Sequence, residues 1–174
     1  MKLEIKTFPN EILRKKAEPV TEFNEELHTL LDNMLETMYD AKGLGLAAPQ
    51  VGLSLRLFVL DDMPEPNKNN PMEIINPEFI EKEGEILEEE GCLSIPGEYA
   101  FVKRYMKVKV KYQDRYGNEK IIEATDRLSR ILQHESDHLE GTLFIDRLPN
   151  TKRETIKKHI KKRINNGDYK VTDE

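Results

Sequence analysis

The run Gln133-His134-Glu135-Ser136-Asp137-His138 decides how the rest of the chain is read. It lies in a stretch that reads as a helix, starting near Thr125 or Asp126 and ending near Leu139. Residues four apart on a helix stand one turn above each other, so His134 and His138 can both reach one cation. Glu135 projects about a third of a turn away. That offset lets its carboxylate touch a water on the metal without ligating the metal itself. Histidines at this spacing also occur on ordinary, partly buried helix faces, so the reading needs a third ligand from elsewhere.

The metzincin pattern asks for glycine at 141 and histidine at 144; Gly141 is present, but Phe144 occupies the second position. The thermolysin pattern asks for a downstream glutamate. Glu140 is too near, Glu154 lies in a highly charged stretch, and Glu174 is terminal. His28 and His159 fall on separate predicted helices. Cys92 remains, within Glu89-Glu90-Gly91-Cys92-Leu93-Ser94-Ile95-Pro96, as a soft ligand between a glycine and a strand-to-turn transition. An isolated cysteine is often only a buried apolar side chain; a histidine pair short of a third ligand reverses that reading. A structural zinc site has four protein ligands. Three are found here, which leaves a position for water.

Outward from these motifs, Leu27, Leu30, Leu31, Met34, Leu35 and Met38 follow the spacing of one helix face. Asn24 is the expected N-cap and Gly43 the expected terminator. Leu55 to Leu60 reads as a buried strand, and Asp61 to Pro71, with three prolines, as a surface loop. Met72 to Ile75 and Phe79 to Leu87 read as two further strands. Met106 to Tyr112 alternates strictly, and Tyr116-Gly117-Asn118 turns the chain into a returning strand at Lys120 to Glu123. A third helix is expected over Thr151 to Asn166. Strands clustered in the middle with helices outside them imply an α+β fold, with mainly antiparallel sheets around the helix bearing the histidines.

The 174 residues suit one catalytic domain, with 151–166 as a basic C-terminal helix and 167–174 as a flexible tail. Apolar residues make up 37%, enough for a core at this length. The formal net charge of −6 argues against DNA or wholesale nucleic-acid binding. Cys92 is the only cysteine, which excludes an intrachain disulfide and fits a reducing compartment. Met1 to Lys6 alternates charged and apolar residues, unlike a signal peptide. No run approaches the roughly 18 apolar residues of a membrane span. A cytoplasmic protein with no membrane contact is expected.

Three segments, in order, resemble the bacterial peptide deformylases: Gly43-Leu44-Gly45-Leu46-Ala47-Ala48-Pro49-Gln50, Glu90-Gly91-Cys92-Leu93-Ser94, and Gln133 to His138. The opening Phe8-Pro9-Asn10-Glu11-Ile12-Leu13-Arg14 and the later Leu143-Phe144-Ile145-Asp146 resemble the same family. The resemblance spans about residues 5 to 160. It implies a hydrolase that removes the formyl group from N-formylmethionyl nascent peptides. It further implies Cys92, His134 and His138 as metal ligands and Glu135 as acid/base. Gln50 and the Leu93 N–H would form the oxyanion site, with Leu44 and Gly45 beside the substrate. One divalent ion is implied, ferrous iron in the cell with zinc or nickel as replacements; the ligand types suit zinc and iron alike. By the same analogy Glu90 pairs with Arg104.

Gly43, Gly45 and Ala48 also fit a dinucleotide fingerprint, but a predicted helix precedes them and Pro49 interrupts the segment after them. Arg127 stands where the family more often has an apolar residue lining the methionine pocket, and Ser129 replaces a commoner alanine. The alternatives left open are a metallopeptidase cutting internal bonds and a non-catalytic metal-binding module. Residues 151–166 carry Lys152, Arg153, Lys157, Lys158, Lys161, Lys162 and Arg163 against Glu154, a net charge of +6. A solvated surface helix and a contact with the ribosome both fit that charge.

Overall fold

The computed structural model describes residues 1–62 and 69–172. Among the described residues, three α-helices, α1 (Glu25–Asp40), α2 (Asp126–Leu139) and α3 (Asn150–Asn165), accompany seven strands. The strands are β1 (Gly45–Ala47), β2 (Leu57–Leu60), β3 (Met72–Glu83), β4 (Ile86–Cys92), β5 (Ile95–Arg104), β6 (Lys107–Gln113) and β7 (Glu119–Thr125). An antiparallel sheet runs in the order β1-β2-β3-β6-β7, and β4 and β5 form a separate antiparallel pair. The architecture is the α+β arrangement expected.

Strand β2 explains why its sequence is an unbroken apolar run. Leu57 and Val59 pack with α1 residues Leu27, Leu31 and Met34, whereas Phe58 and Leu60 pack with α2 residues Ile131, Leu132 and Leu139. Both faces are covered, so neither needs polar side chains. Strand β6 alternates between buried and half-buried positions, as its sequence required. A third cluster joins Ile95 and Val102 of β5 to Phe144, Ile145, Ile156 and Ile160, which ties α3 to the β4–β5 hairpin.

Helix α1 begins where Asn24 accepts a hydrogen bond from the Leu27 N–H at 3.0 Å. It does not end on a glycine. Lys42 takes the left-handed conformation at φ 58°, and the Gly43 N–H closes the turn on the Met38 carbonyl at 3.0 Å. Gly43 is small for another reason: a β-carbon there would lie 2.6 Å from Leu93 Cδ1. The two strands expected over 72–87 divide differently. Strand β3 continues through Asn76-Pro77 as an irregular pairing with β6, and the chain turns at Gly84 (φ 70°). Asn76 is held at φ 52° because its side chain accepts from Val20 N and donates to the Val20 carbonyl, each at 2.9 Å.

Of the loop expected over 61–71, residues 63–68 lie outside the described residues. Asp61 is buried and accepts from the Tyr39 hydroxyl and Asn70 N–H. The chain after α3, expected to be loose, is pinned as far as it is described. Tyr169 donates to the Phe8 carbonyl at 2.7 Å, and Thr7 bonds Lys170 and Thr172. The composition of that end hid the partners, which come from the other end of the chain. No helix among the described residues is long and apolar enough to cross a membrane.

Gly141 sets the exit from α2. Its φ is 74°, and a β-carbon would lie 2.3 Å from the Arg14 carbonyl oxygen. Gly141→Ala is expected to lower unfolding free energy by about 2 kcal/mol or more. Urea denaturation checks this, and a change below about 0.5 kcal/mol, the range of ordinary surface substitutions, contradicts it.

Candidate metal centre

Helix α2 carries His134 and His138 on one turn, with ring centroids 5.2 Å apart. Strand β4 ends at Cys92, against the same face. The candidate ligand atoms of Cys92, His134 and His138 all lie within 4.8 Å of one another, the one such group of three among the described residues. Cys92 Sγ is 3.4 Å from His138 Nε2. His134 points its Nδ1 away from this cluster to Glu90 Oε1 at 2.8 Å, which leaves Nε2 for the centre.

The donor set suits a divalent ion. One sulfur and two imidazoles are the softness that zinc and ferrous iron accept. Burial is the main reason the His138 pKa lies well below its usual value, and His134 and Arg104 nearby add to it. His134 differs: burial pushes its pKa down, but Cys92, Glu90 and Glu135 outweigh this and hold it well above the usual value. Glu135 Oε1, beside the centre, is buried without a hydrogen-bond partner. Such unsatisfied groups are expected where an ion and water complete the arrangement.

A buried network fixes the orientation of His134. Arg104, at the end of β5, donates Nε and Nη2 to the two oxygens of Glu90 at 2.9 Å each. Its Nη1 donates to Asp137 Oδ2 at 2.6 Å. Arg147 then donates to both oxygens of Asp137, at 2.7 and 3.1 Å. Burial alone would raise the Glu90 pKa; Arg104 and His134 overcome it and hold the carboxyl at about 2. Gln133 secures the helix from the other side, accepting from the Tyr105 N–H and donating to the Tyr105 carbonyl, both at 2.9 Å. Ser129 Oγ donates to that same carbonyl.

Glu135 is 5% exposed, and its pKa is pushed up to about 7, chiefly by burial. A β-carbon on Gly45 would lie 2.7 Å from Glu135 Oε2, so only glycine lets β1 pass this close. Gln50 is 1% exposed; its Oε1 accepts from Ala47 N, and its Nε2 donates to Ser94 Oγ at 3.1 Å, with Cys92 Sγ at 3.5 Å. Leu44, Gly45, Gln50, Cys92, Leu93, His134 and Glu135 line one cavity of about 460 Å³, and His138 sits behind it, 1% exposed. All the residues singled out from sequence are thus brought together. Ser94, Asp137 and Arg147 were missed. Ser94 and Asp137 lie within the matched segments, but their roles depend on partners from distant segments.

Arg127, singled out as a departure, is half-exposed at the cavity wall and turned toward Asp62. Gly43 precedes β1 and Gly45 begins it, so the glycines of the fingerprint-like segment do not follow a strand and the phosphate-binding context is absent.

Fold and site together define a mononuclear metallohydrolase type of centre: two histidines and a glutamate on one helical turn, and a thiol from a hairpin. Residues 2–154 match the sequence profile of the polypeptide deformylases, and the chain belongs to that family. It is 54% identical over 159 residues to a peptide deformylase from Thermodesulfovibrio yellowstonii, covering 91% of this chain and 96% of the relative. It is 51% identical to a peptide deformylase of Endomicrobium trichonymphae, covering 97% and 99%. The crystal structure of a peptide deformylase from Legionella pneumophila superposes with a TM-score of 0.90 at 44% identity, covering 98% of this chain and 99% of that one.

Glu90→Gln removes the charged acceptor that orients His134. Metal affinity is expected to fall about 10- to 100-fold, measured by competition with a chromogenic chelator. Unchanged affinity would contradict the orienting role of Glu90.

Proposed function

We propose that this chain, acting as one catalytic domain, hydrolyses the formyl group from the N-terminal formylmethionine of new polypeptides and releases formate. The observation that carries the reading is the convergence of Cys92, His134 and His138 beside the buried Glu135, in a cavity flanked by a sheet edge. Cys92, His134 and His138 would hold a divalent ion, ferrous iron in the cell with zinc or nickel as replacements. When bound, such an ion supplies Lewis-acid polarisation and makes water acidic enough to ionise near neutral pH.

The protein's own groups do the rest. Glu135, raised to about 7, can take a proton from the attacking water and return it to the leaving amine. Gln50 Nε2 and the Leu93 N–H are donors for the oxyanion that develops on the formyl oxygen; one such donor is typically worth about 3 kcal/mol of barrier. Gln50 is held by Ala47 and Ser94, so little reorganisation is needed. Strand β1 is an edge of its sheet, and Gly45 and Leu44 offer backbone groups to an extended peptide laid beside it. A formyl carbon bears only hydrogen, so a close-packed site admits it and excludes bulkier acyl groups.

Glu135→Gln is expected to retain metal while formate release from formyl-Met-Ala-Ser falls about a hundredfold or more. Near-wild-type turnover would remove Glu135 from the mechanism. The wild type is expected to leave the acetylated peptide intact; hydrolysis of both peptides at similar rates would contradict the proposed selectivity.

Helix α3 supports a second element of this reading, a contact with the ribosome. Ile156 and Ile160 are buried, whereas Lys152, Lys158, Lys161 and Lys162 are exposed on the outer side. Lysines so arranged suit RNA phosphates. Replacing these four with glutamate is expected to abolish co-sedimentation with ribosomes at low salt, and raising the salt should do the same to the wild type. Binding unaffected by either change would exclude this surface.

A further inference from the structure

Arg130 stands four residues before His134, one turn away on the same face of α2. It lines the cavity that also holds Cys92, His134 and Glu135. Its Nε is buried without a hydrogen-bond partner, and no acid among the described residues pairs with its guanidinium. Arg127, on the same wall, is in the opposite state: Nε and Nη2 donate to Asp62 Oδ1 and the Asp62 carbonyl at 3.1 and 2.6 Å. The carboxylates of the cavity do not answer Arg130. Glu90 is held by Arg104, Glu98 by Arg163 at 2.9 Å, and Glu89 is exposed on β4. Glu135 lies against Gly45. A guanidinium that lines a ligand cavity without a protein acceptor favours a ligand that brings one.

The chemistry of that acceptor is set by position. Side chains four apart on a helix have β-carbons roughly 5–6 Å apart, comparable with the length of a methionine side chain. With a formyl group at the Cys92–His134–Glu135 cluster, the far end of the first substrate side chain falls within reach of Arg130. A thioether sulfur is a weak acceptor. Its sulfoxide carries a polar oxygen at that same place.

We propose that Arg130 determines specificity at the first substrate side chain by donating to an oxygen at its end. The enzyme then also deformylates chains that begin with formylmethionine sulfoxide. This rests on the deformylase reading above. The reaction itself is unchanged: the formamide C–N bond breaks, water supplies the second oxygen of formate, and the sulfoxide leaves intact on the free amine.

The test is kcat/KM of the metal-loaded protein on formyl-Met-Ala-Ser, its methionine sulfoxide counterpart, and formyl-Met-Asp-Ser. The wild type is expected to process the sulfoxide peptide within about tenfold of the thioether. Arg130→Met should lower the sulfoxide-to-thioether ratio by about tenfold or more, the loss expected for a hydrogen bond from a charged donor. Arg130→Lys should restore part of that ratio. A sulfoxide peptide more than about a thousandfold slower in the wild type, or a ratio unmoved by Arg130→Met, overturns the proposal. So does an Arg130 dependence confined to formyl-Met-Asp-Ser, which would assign the donor to the second substrate residue. No formate from the thioether peptide would instead overturn the deformylase reading itself.

Discussion

The guanidinium of Arg104 joins two parts of the chain that must meet for the centre to exist. It binds Glu90 on the strand leading to Cys92 and Asp137 on the helix bearing both histidines. All three charges are buried. Removing one member would leave an uncompensated charge in the interior, which typically costs about 3–5 kcal/mol. The arrangement therefore resists sliding of β4 along α2. Glu90 transmits that rigidity to the site through His134 Nδ1, fixing which nitrogen faces Cys92. Arg147 closes the far end on Asp137 and links the segment after α2 to the same network.

Close packing completes what the ion pairs begin. Gly45 allows β1 to run against Glu135, and Gly43 allows Leu93 to fold over the chain beside it. The carboxylate is thereby kept from bulk water, and burial is the main reason its pKa rises. A raised carboxyl pKa near the working pH lets one group both accept and return a proton. Gln50 is positioned with equal care, its amide oxygen held by Ala47 and its nitrogen aimed at Ser94 and Cys92. The side chains that act are thus supported by others that never touch a substrate.

The local parts of this architecture were legible in the amino-acid order. Asn24 announced a helix start, and the alternation of β6 announced a half-covered strand. The spacing of His134 and His138 placed two imidazoles on one turn before any tertiary contact was considered. What stayed hidden depends on contacts between remote segments. Asp137 looks like any polar helix residue until Arg104 and Arg147 arrive from elsewhere. Gly43 looks like a helix stop, yet Lys42 takes the left-handed turn and Gly43 is small to admit Leu93. Asn76-Pro77 looks like a strand break, but hydrogen bonds to Val20 carry the strand through it. Arg130 passed without notice because a missing partner leaves no mark in a sequence.

The central claim is that a thiol from a hairpin and two imidazoles from a helix grip the same ion. X-ray absorption at the metal edge of anaerobically purified protein tests it most directly. The account predicts one sulfur scatterer at about 2.3 Å and two nitrogen scatterers at about 2.0–2.1 Å for a zinc-loaded sample. A metal shell without sulfur, or with ligands only from nitrogen and oxygen, would contradict it.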